Sequence, residues 1–263
     1  MSRREGSRAR RAGLDAAEIG HLREAGRIVA SVLDALEREV RPGITTGALD
    51  ALAARLTSEA GARPAFLDYH GFPRCLCTSV NAEVVHGIPS DARTLVEGDL
   101  LKLDFGVAYR GLFADAARTV GVGRISPEAE RLLAVTREAL EAGIAQVRDG
   151  RRVGDIGAAI SRHVRARGLE VVEGFTGHGI GRRLHEEPSI PNEGTAGSGA
   201  RLHEGMAVCL EPMVSLGRGE VEVGEDDWTA ILCDGSLGAH FEHTVLIGPR
   251  GPEVLTRGAG RRP

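Results

Sequence analysis

The sequence predicts an α+β domain made of two similar halves, and three observations carry that prediction. The run Val40-Arg41-Pro42-Gly43-Ile44-Thr45-Thr46-Gly47 returns as Val147-Arg148-Asp149-Gly150-Arg151-Arg152-Val153-Gly154, a displacement of 107 (147 − 40). At the same displacement Ala51 matches Ala158, Arg55 matches Arg162, Gly61 matches Gly168, and Leu49 faces Ile156. Around each copy the order is the same: a helical pair, then β-prone runs. Finally, acidic residues stand inside the apolar runs of both halves. Two copies are too few for a solenoid, so they close on each other as one pseudo-twofold domain with a natural site at its middle.

Composition narrows the function classes. A chain of 263 residues, 42% hydrophobic and 27% charged, is an ordinary soluble globular protein of one large or two small domains. A net charge of −4 argues against nucleic acid as the main ligand, so no specific DNA partner is expected. Cys75, Cys77, Cys209 and Cys233 form no CxxC pair and no zinc pattern. No secretory apolar core and no apolar run of ~18 residues occurs, so neither export nor a membrane span is expected. Reduced thiols in a cytoplasm fit this best.

In chain order, arginine-rich residues 1–13 predict a disordered basic tail, with weak electrostatic contact to RNA or an acidic surface as the functional alternative. From Leu14 to Val40, Leu22, Ala25, Ile28, Val29, Val32, Leu33 and Leu36 recur at helical spacing behind the N-cap candidate Asp15. Pro42-Gly43 ends that helix. Thr45 or Thr46 opens a second one through Leu49, Leu52 and Leu56 to Gly61. An apolar stretch at Ala65–Leu67, a turn at Gly71–Pro73, a strand at Cys75–Val80 and a turn at Asn81-Ala82 lead to Val84-Val85-His86-Gly87-Ile88-Pro89.

The run Leu100–Thr119 then places Asp104 in an apolar β-prone segment and Asp115 eleven positions on (115 − 104), around the turn-like Tyr109-Arg110-Gly111. On adjacent hairpin strands the two carboxylates would face each other, and they repel unless a cation lies between them. The plainer alternative makes Asp104 a half-exposed strand residue and Asp115 a loop residue. In the second half, Gly177-His178-Gly179-Ile180-Gly181 sets a histidine among glycines, and His185-Glu186-Glu187-Pro188 follows. Ala207–Met213 buries Glu211 and Phe241–Ile247 buries Glu242 at the ends of apolar strands. Four buried acids could share arginines, at a desolvation cost. Two divalent cations would neutralise them through oxygen and nitrogen ligands, which favours Mn, Fe, Co or Zn.

Asp104, Asp115, His178, Glu211 and Glu242 resemble, in order and spacing, the five metal ligands of the methionine aminopeptidases. The strings VNAEVVHGIP, GHGIGRRLHEEP, LEPMV, DDWT and FEHTV are also similar to that family's, and the resemblance covers roughly residues 14–256. It implies the pita-bread fold shared with prolidases, aminopeptidase P and creatinase: two pseudo-symmetric halves, a central antiparallel sheet and helices outside. It implies one catalytic domain over 14–256, between the tail at 1–13 and a C-terminal tail at 257–263. Only a short stretch precedes the match, unlike in prolidase relatives. The 31 positions from Glu211 to Glu242 (242 − 211) leave no room for the helical insertion of the eukaryotic second class. Both features resemble a type I, bacterial-style enzyme without a zinc-finger extension.

The resemblance implies removal of the initiator methionine from chains whose second residue is small. Asp115 and Glu242 would bridge two divalent ions, Asp104 would chelate one, and His178 and Glu211 would complete the other's shell. Glu211 would carry the proton from water to the leaving amine, His86 would bond the scissile amide, and His185 would reach the carbonyl oxygen. The methionine pocket maps onto Phe66, Tyr69, Phe72, Cys77, Leu184 and Trp228, a set suited to a thioether. Phe66, Leu184 and Val85 depart from the usual pattern, and these departures touch the pocket wall. Two other readings stand beside this one: a pita-bread aminopeptidase of different N-terminal specificity, and a non-catalytic binding member of the fold. The expected partners are the N-terminal Met of peptides and nascent chains, with a transient ribosome contact, for a monomeric cytoplasmic enzyme.

Overall fold

The computed structural model describes residues 13–258, so the predicted tails lie almost wholly outside the described residues. Helix α1 (Ala16–Glu39) starts where the sequence places it. The Glu18 N–H donates to Asp15 Oδ1 at 2.9 Å, and the Asp15 N–H donates to Glu18 Oε2 at 2.8 Å, closing a capping box. Its buried face is the predicted stripe from Leu22 to Leu36. Helix α2 (Thr46–Glu59) is capped by Thr45, whose hydroxyl accepts from the Ala48 N–H at 3.2 Å. Helices α3 (Pro127–Ile144) and α4 (Val153–Arg165) repeat the arrangement in the second half.

The strands Leu100–Tyr109 and Leu112–Gly121 pair antiparallel without a break. Their two-residue turn, Arg110-Gly111, has positive φ at both positions (49° and 83°), which matches the right-handed twist of a hairpin. Asp104 lies opposite Ala117 and Asp115 opposite Gly106, so the acids are diagonal neighbours on one face. They are 8% and 3% exposed, which excludes the half-exposed and loop alternatives. Every strand pair among the described residues is antiparallel. Helix α1 packs on the hairpin, where the buried Arg118 guanidinium meets Asp34 at 2.6 Å and Glu37 at 3.2 Å. Among the described residues, no helix is long and apolar enough to cross a membrane.

The internal repeat is a true structural dyad. Helices α2 and α4 begin 107 positions apart (153 − 46), and the isolated bridges Thr45–Thr94 and Arg152–Arg201 are related by the same displacement. Asp104 and Glu211 are also 107 apart, so the two strands that carry them are equivalent. The halves meet where Leu112–Gly121 runs beside residues 240–244. The Thr119 hydroxyl donates to the His240 carbonyl at 2.7 Å and accepts from the His240 N–H at 2.8 Å. The Thr244 hydroxyl makes the same two bonds to Asp115, at 2.8 and 3.0 Å. Between these clamps the Glu242 N–H donates to the Ala117 carbonyl at 2.9 Å.

Both threonines are buried, so removing either hydroxyl leaves a backbone N–H and a carbonyl without that partner. Thr119→Val and Thr244→Val are each expected to cost about 2–3 kcal/mol, read as a lower urea midpoint at unchanged slope. A loss below about 0.5 kcal/mol in either variant would show that the seam does not depend on its hydroxyls.

Candidate metal centre

Five polar side chains converge on the seam from separate elements. Asp104 and Asp115 come from the hairpin, and His178 from the strand Thr176–Ile180. Glu211 follows the strand Ala207–Leu210, and Glu242 lies between the strands Gly238–His240 and His243–Gly248. Ligand-type atoms of Asp104, Asp115 and Glu242 all lie within 4.8 Å of one another. The His178 Nε2 stands 3.7 Å from Glu211 Oε1 and 3.9 Å from Glu242 Oε1, so Glu242 belongs to both ends of the cluster. All five line one cavity, together with the other residues that the sequence singles out for the site: Phe66, Tyr69, Phe72, Cys77, Val85, His86, Leu184, His185 and Trp228.

The electrostatics of this cluster are unusual. Among the described residues no arginine or lysine is ion-paired to the four acids, although the chain has 33 basic side chains. Asp104 Oδ1, Asp115 Oδ1 and Glu242 Oε1 are buried without a hydrogen-bond partner. Burial, and then the Asp115 charge, hold Asp104, Glu211 and Glu242 well above the ordinary carboxylate range. Burial pushes Asp115 up to about 7. His178 goes the other way, down to about 4, because burial and the neighbouring His185 disfavour an imidazolium. Its Nδ1–H donates to the Gly179 carbonyl at 3.0 Å, which leaves the Nε2 lone pair facing the acids.

Unpartnered carboxylate oxygens around a neutral imidazole are the donor set of a hard or borderline divalent cation. The residues present therefore fit metal binding. Cys209 also faces the cluster from its position opposite His178 and Thr244, but burial and the Glu242 charge keep its thiol protonated. The donors expected to act are thus oxygen and nitrogen.

Around this centre the apolar wall is built from Phe66, Phe72, Cys77 and Leu184, all buried, with Phe72 and Trp228 edge to face at 5.2 Å. His185 lies edge-on to His178, ring centroids 4.3 Å apart, and its Nδ1 is 2.9 Å from the Tyr69 hydroxyl. When that hydroxyl donates, the His185 Nε2 carries the proton and can donate to a substrate oxygen. His86 is held at φ 63°, and burial lowers its pKa, as it does that of His185. Sequence reading missed two residues. His70 lines the cavity from a positive-φ turn beside Tyr69, and nothing in its local sequence marks it. His240 places its Nε2 3.7 Å from Glu211 Oε2; its signal was its position two residues before Glu242, hence on the same strand face.

The shifts fix the sign of a metal–pH linkage. Without cations the folded acids bind more protons than the unfolded chain, so their contribution to stability is lost as pH rises toward and beyond 7. The unfolded chain is common to both samples, so its own titration cancels in the comparison of loaded with chelated protein. The one lysine, Lys102, which burial lowers to about 7, titrates in loaded and chelated protein alike. The Tm difference between cation-loaded and chelated protein is therefore expected to widen from pH 6.5 to 8. The gain is up to about 1.4 kcal/mol per pH unit for each proton the cations displace. A difference that stays flat over that range would contradict binding at these acids.

The sequence model of metallopeptidase family M24 matches residues 20–249. A methionine aminopeptidase of Clostridium perfringens is 46% identical over 239 residues, which is 91% of this chain and 96% of that protein. The crystal structure of a methionine aminopeptidase from Thermotoga maritima superposes with a TM-score of 0.92 at 42% identity, covering 94% of this chain and 99% of that one. Prolidase from Pyrococcus furiosus, at 23% identity and a TM-score of 0.77 over 95% of this chain and 66% of that one, shares the fold alone. With a family model over most of its length and near-full-length relatives above 40% identity, the chain belongs to metallopeptidase family M24, among the methionine aminopeptidases, and has the pita-bread fold.

Proposed function

We infer that the protein is a metallo-aminopeptidase that removes the initiator methionine from chains whose second residue is small. One observation carries this reading: the unpartnered acid cluster and a sulfur-tolerant apolar wall share a single cavity. Asp104, Asp115, His178, Glu211 and Glu242 would hold two divalent ions, with Asp115 and Glu242 common to both. Such ions supply Lewis acidity toward a peptide carbonyl and lower the pKa of water toward neutrality.

The chain's own residues do the rest. Glu211, on the cavity wall beside His178, accepts a proton from the attacking water and returns it to the leaving amine. His185, oriented by Tyr69, donates to the oxygen on which charge develops. His86 bonds the scissile amide and fixes its plane. Phe66, Phe72, Cys77, Leu184 and Trp228 receive the methionine thioether, and Tyr69 closes that wall toward His185.

A second reading, an aminopeptidase of different N-terminal preference, is favoured by one feature. Phe66, which departs from the usual pattern, lines the cavity and packs close to Gly106, where an added Cβ would lie 3.0 Å from its ring. The proposed setting is cytoplasmic and monomeric, with nascent chains met at the ribosome. The arginine-rich residues 1–12 lie outside the described residues. Ribosome co-sedimentation that is unchanged on deleting residues 1–13 would remove any role for that stretch.

The deciding assay is cleavage of Met-Ala-Ser and Leu-Ala-Ser with added Co or Mn, in wild type and Asp104→Asn. Fast loss of Met alone is expected, reduced about 100-fold or more by the substitution. Leu removed as readily as Met would keep the peptidase and discard the methionine preference. Cleavage of neither, with metal bound, would leave a binding protein. His185→Ala is expected to lower kcat by roughly 10²–10³ with cation content unchanged, as for loss of one oxyanion donor. Wild-type kcat in that variant would remove His185 from the mechanism.

A further inference from the structure

The internal dyad singles out one side chain that the reaction outlined above does not use. In the first half Gly106 lies opposite Asp115; in the second, Met213 lies opposite His240. Gly106 and Met213 are 107 apart (213 − 106), so His240 stands in its half where Asp115 stands in the other. The seam repeats the relation, since Thr119 clamps His240 as Thr244 clamps Asp115. Asp104 and Glu211 are equivalent in the same way. The pair Glu211–His240 is therefore the dyad mate of the pair Asp104–Asp115.

His240 is 1% exposed, and neither ring nitrogen has a hydrogen-bond partner among the described residues. A neutral imidazole carries a single N–H, on one ring nitrogen or the other. The acceptor that faces it is Glu211 Oε2, 3.7 Å from Nε2, while the other Glu211 oxygen faces His178 Nε2 at the same distance. The Glu211 carboxylate thus lies between two imidazoles, one facing each oxygen. The two bonds from Thr119 to the His240 backbone fix the point from which the ring projects.

We infer that His240 is a positioning residue for catalysis: in the cation-loaded enzyme the 3.7 Å separation closes, its Nε2–H donates to Glu211 Oε2, and Oε1 is kept turned toward His178 and the reacting water. This rests on the reading of Glu211 as proton carrier. A side chain whose only role was to fill space could be replaced by any residue of similar volume; a donor could be replaced only by another donor.

The test compares His240→Leu with His240→Gln in cation-loaded enzyme on Met-Ala-Ser, with metal content measured in each. Leucine fills much of the space without an N–H, and glutamine offers an amide N–H to the same oxygen. The expected result is a kcat at least tenfold lower in His240→Leu, at a KM within twofold and unchanged metal content. In His240→Gln kcat should stay within threefold of wild type. Wild-type kcat in the leucine variant, or equal loss in both, overturns the proposal. Should the leucine variant fail to fold, ¹⁵N NMR of the zinc-loaded wild type decides, with His240 assigned by its missing signals in His240→Gln. An Nε2–H tautomer supports the proposal; an Nδ1–H tautomer or a zinc-bound Nε2 overturns it. Glu211→Gln, assayed alongside, separates the two ideas. If it retains activity, the proton-carrier reading fails. If it loses activity while His240→Leu does not, only the present proposal fails.

Discussion

Four carboxylates buried together without an arginine or lysine among the described residues are the constraint on which the rest of this structure depends. Ordinarily such a cluster would not stay charged in an interior, because desolvation and mutual repulsion both favour the protonated form. The raised pKa values of Asp104, Glu211 and Glu242 express that conflict. A protein can hold the arrangement only if something else enforces the geometry and something outside the chain supplies the charge. Rigid strands do the first, and divalent cations do the second.

The enforcement comes from the dyad. Each half brings one acid on an equivalent strand, Asp104 and Glu211, and the halves are locked by reciprocal threonine bonds at Thr119–His240 and Thr244–Asp115. Those bonds act on the backbone of Asp115 and His240 themselves, so the seam and the site are one object. Helices α1 to α4 contribute by burying the outer faces of the strands. The Arg118 contacts to Asp34 and Glu37 tie α1 to the hairpin three residues from Asp115.

Much of this was legible in the sequence because it rests on local rules. The 107-residue repeat, the cap at Asp15, the Arg110-Gly111 turn and the acids within apolar strands are all short-range patterns. The five expected cation donors and the expected pocket wall came from motif strings, and the structure brings them to one cavity. What sequence reading missed was set by pairing across the seam. The Thr119–His240 bonds span 121 residues, and only strand register and that contact together reveal that His240 occupies the place of Asp115. His70 was missed for a related reason: its place on the cavity wall depends on a turn that holds both it and Asp68 at positive φ.

The symmetry is useful because it is broken at its centre. Asp115 in one half corresponds to His240 in the other, and Ala117 corresponds to Glu242. A strict dyad would give two identical ends, each with the same charge and the same affinity. Here Asp104, Asp115 and Glu242 make one end of the cluster from carboxylates alone, while His178 gives the other an imidazole nitrogen beside the Glu211 carboxylate. In the proposed hydrolysis of a peptide's first bond, that difference would let one end hold the free amine and the other manage protons beside the carbonyl. Two similar halves supply the rigidity, and two substituted pairs at their junction break the symmetry of the site.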